Sequence, residues 1–203
     1  MKGIPLFIAI TGPTGVGKTT LAGRLAARLD ATLMLDPFAD NPYLPQLYAD
    51  AERAPDDLAL KVELTFIALR VAQLRRIGMI TRAGGRVVAD WAMVQQRIFA
   101  AETLAAADAG RVAQTCGIWS TDSPSPDVVI GLTAPSSTLL HRVKQRGRDM
   151  ETSVSEADLA ALNEAFQRAF TPHVIHRDGS TFDALNDADL DELIAQLTGS
   201  EKS

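Results

Sequence analysis

One segment constrains this chain more than any other. Gly12-Pro13-Thr14-Gly15-Val16-Gly17-Lys18-Thr19 follows the pattern G-x-x-x-x-G-K-[ST], placed between the apolar run Ile4 to Ile10 and an amphipathic stretch from Gly17 to Leu29. The apolar run does not alternate, so it reads as a parallel strand buried on both faces, and the stretch after the glycines reads as a helix. A glycine-rich turn between them lets backbone N–H groups converge, and the helix N-terminus adds partial positive charge. Gly12, Pro13, Thr14, Gly15, Val16, Gly17, Lys18, Thr19 and Thr20 are therefore expected to cradle the phosphates of ATP. Lys18 reaches the β- and γ-phosphates, and the Thr19 hydroxyl is a ligand for magnesium.

The remainder alternates in the way such a start requires. Ala31 to Leu35 reads as a second short buried strand, and the pairs Asp36-Pro37 and Asn41-Pro42 mark an irregular loop at its carboxyl end. Pro55 and Asp56 open a long helix to about Arg82, with Leu60, Leu64, Ile67, Val71 and Leu74 on one stripe, and Gly84-Gly85 ends it. Arg86 to Asp90 is a third strand, followed by an alanine-rich helix from about Trp91 to Asp108, and Ser123 to Pro126 is a linker. A fourth strand spans Asp127 to Leu132, and Pro135 begins a helix that runs to the basic stretch Arg142 to Arg148. Ser155 and Asp158 form a capping-box signal. No element is assigned around His173, Arg177 and Asp178, whereas Asp187 to Leu197 reads as a final amphipathic helix. The expected fold is α/β, a P-loop NTPase-type doubly wound parallel sheet with helices on both faces and the ligand at the carboxyl ends of the strands.

Composition narrows the class. With 203 residues, 46% hydrophobic and 22% charged, the chain fits one soluble domain spanning 1–203. Ile4 to Ile10 is too short for a signal h-region or a membrane span. A single cysteine, Cys116, excludes an internal disulfide framework and a multi-cysteine zinc site, which suits a reducing cytoplasm. The net charge of −5 argues against a nucleic-acid surface and leaves a small molecule as the expected partner. Asp90, at the end of the third strand, reads as the carboxylate that holds magnesium, or as a helix N-cap; the two roles are compatible.

From here the residues resemble the deoxynucleoside kinase family, most closely its bacterial deoxyadenosine/deoxyguanosine kinase-like branch. The carrying stretches are the cradle, Leu35 to Leu44 with Asn41-Pro42-Tyr43-Leu44 and Tyr48, and Glu63 to Arg70. They continue through Asp90-Trp91, Ile98-Phe99-Ala100, Thr103-Leu104, and Arg142 leading into Arg146-Gly147-Arg148 and Glu151. The resemblance implies ATP-dependent phosphorylation of a deoxynucleoside 5′-hydroxyl, with magnesium, in a homodimer. It implies a carboxylate beside the hydroxyl, and that place is Asp36, one methylene shorter than the family's glutamate; read by itself, Asp36 also fits an Asp-Pro turn. Glu63 and Arg70, two helical turns apart, would meet the nucleobase, or else pair with each other. A carboxylate accepting two hydrogen bonds suits guanine, so Glu63 leans toward a purine. Tyr48, Asp90, Trp91 and Glu151 are the further substrate-side residues that the resemblance implies. Arg142, Arg146 and Arg148 fall in the family's mobile lid, here about 142–153, where guanidinium groups would neutralise the transferring phosphoryl; alone they also read as solvated charge at a helix end. Trp91 departs from the pattern, because many members carry arginine directly after the acid; it can stack on substrate or simply pack, and packing is the commoner use of a lone tryptophan. A thymidylate-like nucleoside monophosphate kinase and a nucleotide-binding regulatory or weakened kinase homologue are the alternatives.

Overall fold

The computed structural model describes residues 6–49, 56–148, 151 and 153–199. Ile4, Pro5, Pro55 and three positions of the expected lid (149, 150 and 152) lie outside the described residues.

Strand β1 (Leu6–Thr11) sits in the middle of the molecule because it has no polar side to offer: Phe7 and Ala9 are buried on one face, and Ile8 and Ile10 on the other. Around it β2 (Thr32–Met34), β3 (Arg86–Ala89), β4 (Val128–Thr133) and β5 (Val174–Asp178) form one sheet in the order β2-β3-β1-β4-β5, with every pairing parallel. Ala9 is level with Ala89 on one side and Val129 on the other. Asp127 fixes that register, exchanging two bonds with the start of β1: its carboxylate accepts from Phe7 N–H at 2.7 Å and its own N–H donates to the Phe7 carbonyl at 2.9 Å.

Helices cover both faces, as an all-parallel sheet requires. On one face α1 (Lys18–Leu29), α6 (Ser136–Arg146), α7 (Glu156–Ala169) and α8 (Asp187–Gly199) supply Leu21, Leu25, Leu139, Val143, Leu159, Leu190 and Leu193 to a core with Ile8, Ile10 and Ile130. On the other, α3 (Asp56–Arg82) packs Leu74 and Ile77 against Phe7, Val87, Ala89 and Trp91. Helix α3 then continues past the sheet to meet α4 (Met93–Thr103) and α5 (Ala106–Thr121) through Ile67, Val71, Ala100, Val112 and Cys116. The remaining short pieces are a 3₁₀ turn at Phe38–Asp40 and helix α2 (Leu44–Ala49), both inside the stretch expected to be irregular.

Four expectations need correction. The alanine-rich stretch is not one helix to Asp108: Leu104 is extended, at φ −115° and ψ 157°, and a second helix starts at Ala106. Thr103 marks the break, its hydroxyl donating back to the Phe99 carbonyl and competing with the ladder. Strand β5 was not expected, and β2 is not buried, since Thr32 and Leu33 are exposed. Both are edge strands with one neighbour, so neither carries the continuous apolar run of a central strand. On α3, Ile67, Val71 and Leu74 of the anticipated stripe are buried but Leu64 is 45% exposed, and the buried face also includes Val62, Glu63 and Arg70. The Ser155–Asp158 capping box, by contrast, forms in both directions at the start of α7. Among the described residues no helix is long and apolar enough to cross a membrane.

Candidate active site

The carboxyl ends of β1, β3 and β2 deliver, in turn, the cradle, Asp90 and Asp36. Gly12 has φ +150°, and a Cβ there would stand 2.4 Å from the Leu132 carbonyl oxygen, so only glycine fits between β1 and β4. Gly15 and Gly17 also have positive φ, at 81° and 101°, and Gly17 is the N-cap of α1. These conformations wrap Gly12 to Gly17 round the helix start. Lys18 folds back into the loop, its ammonium donating to the carbonyls of Gly12 at 2.8 Å and Pro13 at 2.9 Å. It is half-buried rather than exposed; burial lowers its pKa to about 8, against the opposing pull of Asp36 and Asp90.

Asp90 caps the end of β3 as a junction. Its Oδ2 accepts from the Thr19 hydroxyl at 2.5 Å and its Oδ1 from the Asp36 backbone N–H at 2.5 Å. Burial raises its pKa above the ordinary range, partly offset by those two hydrogen bonds. A hydroxyl and a carboxylate held together beside a phosphate cradle are hard oxygen donors of the kind magnesium takes, with its remaining ligands drawn from phosphate and water. The pair therefore fits the metal that the sequence implies.

Next to this junction lies a cluster built from side chains. Asp36 receives the Arg70 guanidinium on both oxygens: Nη2 donates to Oδ1 and Oδ2 at 2.9 Å each, and Nε to Oδ1 at 3.2 Å. Gln95 Nε2 adds a bond to Oδ2 at 3.1 Å. Arg70 turns its remaining nitrogen, Nη1, to the Gln96 carbonyl oxygen, and the Gln96 amide donates to the Glu63 carboxylate and to the Glu63 carbonyl at 3.3 Å. Glu63 and Arg70 are thus joined through Gln96 rather than by the direct ion pair considered from the sequence. Burial raises the Glu63 pKa to about 7, although Arg70 and bonds from Thr103 and Gln96 favour its charged form.

On the far side of the cradle, Arg142 and Arg146 belong to α6 itself, and only Arg148 follows it, after Gly147 turns the chain at φ +64°. Arg142 Nη1 donates to the Val16 carbonyl at 3.4 Å, which brings α6 onto the cradle. Arg146 Nη2 bonds both oxygens of the buried Glu151, at 2.6 and 2.5 Å, while Arg148 lies 3.9 Å over the Phe38 ring and 3.5 Å from Glu151. Tyr48 stands in the same neighbourhood: burial and then the Glu151 charge raise its pKa, and the Ser153 hydroxyl donates to its carbonyl at 3.3 Å.

The structure thus brings Lys18, Thr19, Asp36, Asp90, Glu63 and Arg70 into one region, with Arg142, Arg146, Arg148, Tyr48 and Glu151 at its edge. Trp91 takes the packing use, which removes it from the substrate-side residues. Its side chain is fully buried in the core, so it packs and has no face to stack on a substrate. Gln95 and Gln96 were missed by sequence reasoning. Their one signal is a pair of amides, just after Asp90-Trp91, at the start of a helix whose neighbours are apolar.

The family model for deoxynucleoside kinases matches residues 8–197. Deoxyguanosine kinase of Bacillus subtilis (strain 168) is 29% identical over 201 residues, spanning 94% of this chain and 95% of that one. Deoxyadenosine/deoxycytidine kinase of the same organism is 32% identical over 161 residues, 74% of this chain and 70% of its own. Among solved structures, deoxyadenosine kinase from M. mycoides with the products dCMP and a flexible dCDP bound superposes with a TM-score of 0.78 at 21% identity, over 96% of this chain and all of that one. That similarity carries the fold, and the match along nearly the whole sequence carries the kinship: the chain belongs to the deoxynucleoside kinase family, and its activity is ATP-dependent phosphorylation of a deoxynucleoside.

Proposed function

We propose that the chain, acting as a single kinase domain, phosphorylates the 5′-hydroxyl of a purine deoxynucleoside, with Asp36 accepting the hydroxyl's proton. The observation that carries this reading is the bond from Asp36 N–H to Asp90 Oδ1, which ties the acceptor-side carboxylate directly to the junction beside the cradle. A proton acceptor after β2 and a phosphate cradle after β1, bridged by Asp90 at the end of the strand between them, are what in-line transfer from ATP to an alcohol needs. Lys18 and the N–H groups of Gly12 and of Thr14 to Thr20 bind the β- and γ-phosphates, and Thr19 and Asp90 hold magnesium, which when bound neutralises charge on those phosphates. Arg142, Arg146 and Arg148 complete the neutralisation from the lid side. Tyr48 and Glu151 hold the sugar, and Glu63 with Arg70 meets the base edge, where a buried carboxyl suits guanine donors. The Bacillus relative of nearly equal length is a deoxyguanosine kinase, which agrees with that preference.

Incubation of the purified protein with magnesium-ATP and a panel of nucleosides and nucleoside monophosphates, with the products separated, tests the reading. Deoxyguanosine is expected to give the monophosphate and ADP. Product formed only from monophosphates, or none at all, would sink it.

Two further features belong to the same reading. The face of α3 and α5 carrying Leu64, Ile118 and Trp119, exposed by 45%, 71% and 40%, is proposed to pair with a second copy in a homodimer. Light scattering at micromolar concentration that finds only a 21.8 kDa species rejects this. Cys116, a free thiol sealed between α3 and α5, is consistent with the cytoplasm as its compartment.

A further inference from the structure

Two consecutive glutamines of α4 enter the site, each 1% exposed, and the roles given above use neither. A buried amide is costly unless both its donor and its acceptor are met, and here both are met, for Gln96 by charged groups of the site at each end. Gln96 takes Arg70 Nη1 on its carbonyl oxygen and gives its N–H groups to Glu63. Gln95 accepts from Ala92 N–H at 3.4 Å and donates to Asp36. The result is an unbroken chain of hydrogen bonds, Glu63–Gln96–Arg70–Asp36, from the proposed base end to the proposed hydroxyl end. The guanidinium in its middle lies 4.7 Å from the Phe66 ring centre and 5.7 Å from that of Trp91, so aromatic faces orient its plane as well.

We propose that Arg70 and Gln96 are positioning residues for phosphoryl transfer. Oriented by Phe66 and Trp91 and pinned by Gln96, Arg70 holds the short Asp36 carboxylate toward the acceptor hydroxyl and links its orientation to Glu63. The inference rests on the reading of Asp36 as proton acceptor and deepens it. A fork with two donors fixes a carboxylate in plane and direction, which a single ammonium does not do. Asp36 needs that support, because its arm is one methylene short and its loop bends at Pro37 directly after it. The competing use of Arg70, as a reader of the base edge alone, makes a different prediction: its loss would then matter only for nucleosides that present groups on that edge.

The test measures single-turnover transfer at saturating magnesium-ATP and saturating nucleoside. The substrates are deoxyguanosine, deoxyadenosine and the unsubstituted purine 2′-deoxyriboside, which has no exocyclic group. Arg70→Lys keeps a buried cation but not the fork, and is expected to slow transfer about a hundredfold for all three substrates, as a displaced reacting group does. Gln96→Met keeps the volume and removes the bonds to Arg70 and Glu63, and is expected to cost about tenfold, again for all three, with ATP affinity unchanged. Wild-type transfer in Arg70→Lys, a change in apparent nucleoside affinity alone, or a loss confined to the substituted bases overturns the proposal. If Gln96→Met does not fold, Arg70→Lys decides by itself. Asp36→Asn is run in parallel. Its collapse beside an intact Arg70→Lys rejects only the positioning roles, whereas full transfer by Asp36→Asn removes the reading of Asp36 and the positioning roles with it.

Discussion

The proposed donor and acceptor sides of this site are built from different materials. The donor side is backbone: one contiguous stretch, Gly12 to Lys18, whose glycines take positive φ and whose one long side chain, Lys18, folds back onto the loop's carbonyls. The acceptor side is side chains: Asp36 after β2, Glu63 and Arg70 on α3, and Gln95 and Gln96 on α4, joined across separations of up to 59 residues. A backbone site demands particular residues at particular spacings and is robust to its surroundings. A side-chain network demands only that partners meet, so it can exchange aspartate for glutamate or lose an arginine if another group arrives.

Breaking the donor side should have the largest effect. Lys18→Ala removes the cation beside the phosphates and is expected to leave no turnover above background in a product assay, with the fold retained by circular dichroism. Wild-type turnover would remove the central claim.

Asp36→Asn comes next, expected to slow transfer by roughly two to four orders of magnitude with ATP affinity unchanged, and to lower the melting temperature as well, because the buried Arg70 loses its charged partner. Asp36→Glu sharpens the comparison. If the short arm is a handicap, the longer one preserves or raises activity; if the Arg70 fork is set for aspartate, it lowers activity. Either result says whether the network or the single side chain carries the geometry.

A glycine contrast probes the backbone side at smaller scale. Gly12→Ala meets the Leu132 carbonyl at 2.4 Å in a left-handed conformation, and is expected to cost about 3 kcal/mol by denaturant unfolding. Gly23, in the middle of α1 with nothing within 4 Å of an added Cβ, is the control: Gly23→Ala should stabilise by about 0.5–1 kcal/mol. Equal effects at the two positions would mean that the cradle is less tightly set between β1 and β4 than the distance indicates.

The same division explains what could be read in advance. The central strands were legible because Phe7 to Ile10 and Val87 to Ala89 are apolar on both faces, and α7 because Ser155 and Asp158 announce its start. Edge strands carry no such mark: Val174 to Asp178 includes His176, Arg177 and Asp178, and it joins the sheet by backbone pairing with β4 while Ile175 packs on the core and His176 meets the Thr133 hydroxyl. Within the site, Gly12 to Thr19 was visible as a pattern, while Gln95 and Gln96 were not. Nothing local in a glutamine pair tells that Arg70 and Glu63, from a helix earlier in the chain, will close round it. Trp91 shows the converse, since a residue in a conspicuous place proved to be core.

The effect least tied to turnover concerns the proton on Glu63. Burial raises its pKa from 4.5 to about 7, so between those values the folded chain holds a proton that the unfolded chain has released. Linkage gives the sign: the native state binds more protons than the unfolded state, so this residue's contribution to stability falls as pH rises from about 5 to about 7, and levels off above. Over that window the loss is about 2 kcal/mol. Depressed carboxyls such as Asp158 and Asp178 slope the other way at lower pH, so the measurement is the difference between wild type and Glu63→Gln in unfolding free energy, followed across pH. The difference should swing toward the variant as pH rises and then hold constant. A flat difference would mean that Gln96, Thr103 and Arg70 stabilise the charged carboxylate enough to cancel its burial, and the acceptor side would then hold a permanent anion facing the base. Deoxyguanosine sharpens this: its edge donors favour the ionised form, so saturating nucleoside should flatten the slope in the wild type and leave Glu63→Gln unchanged.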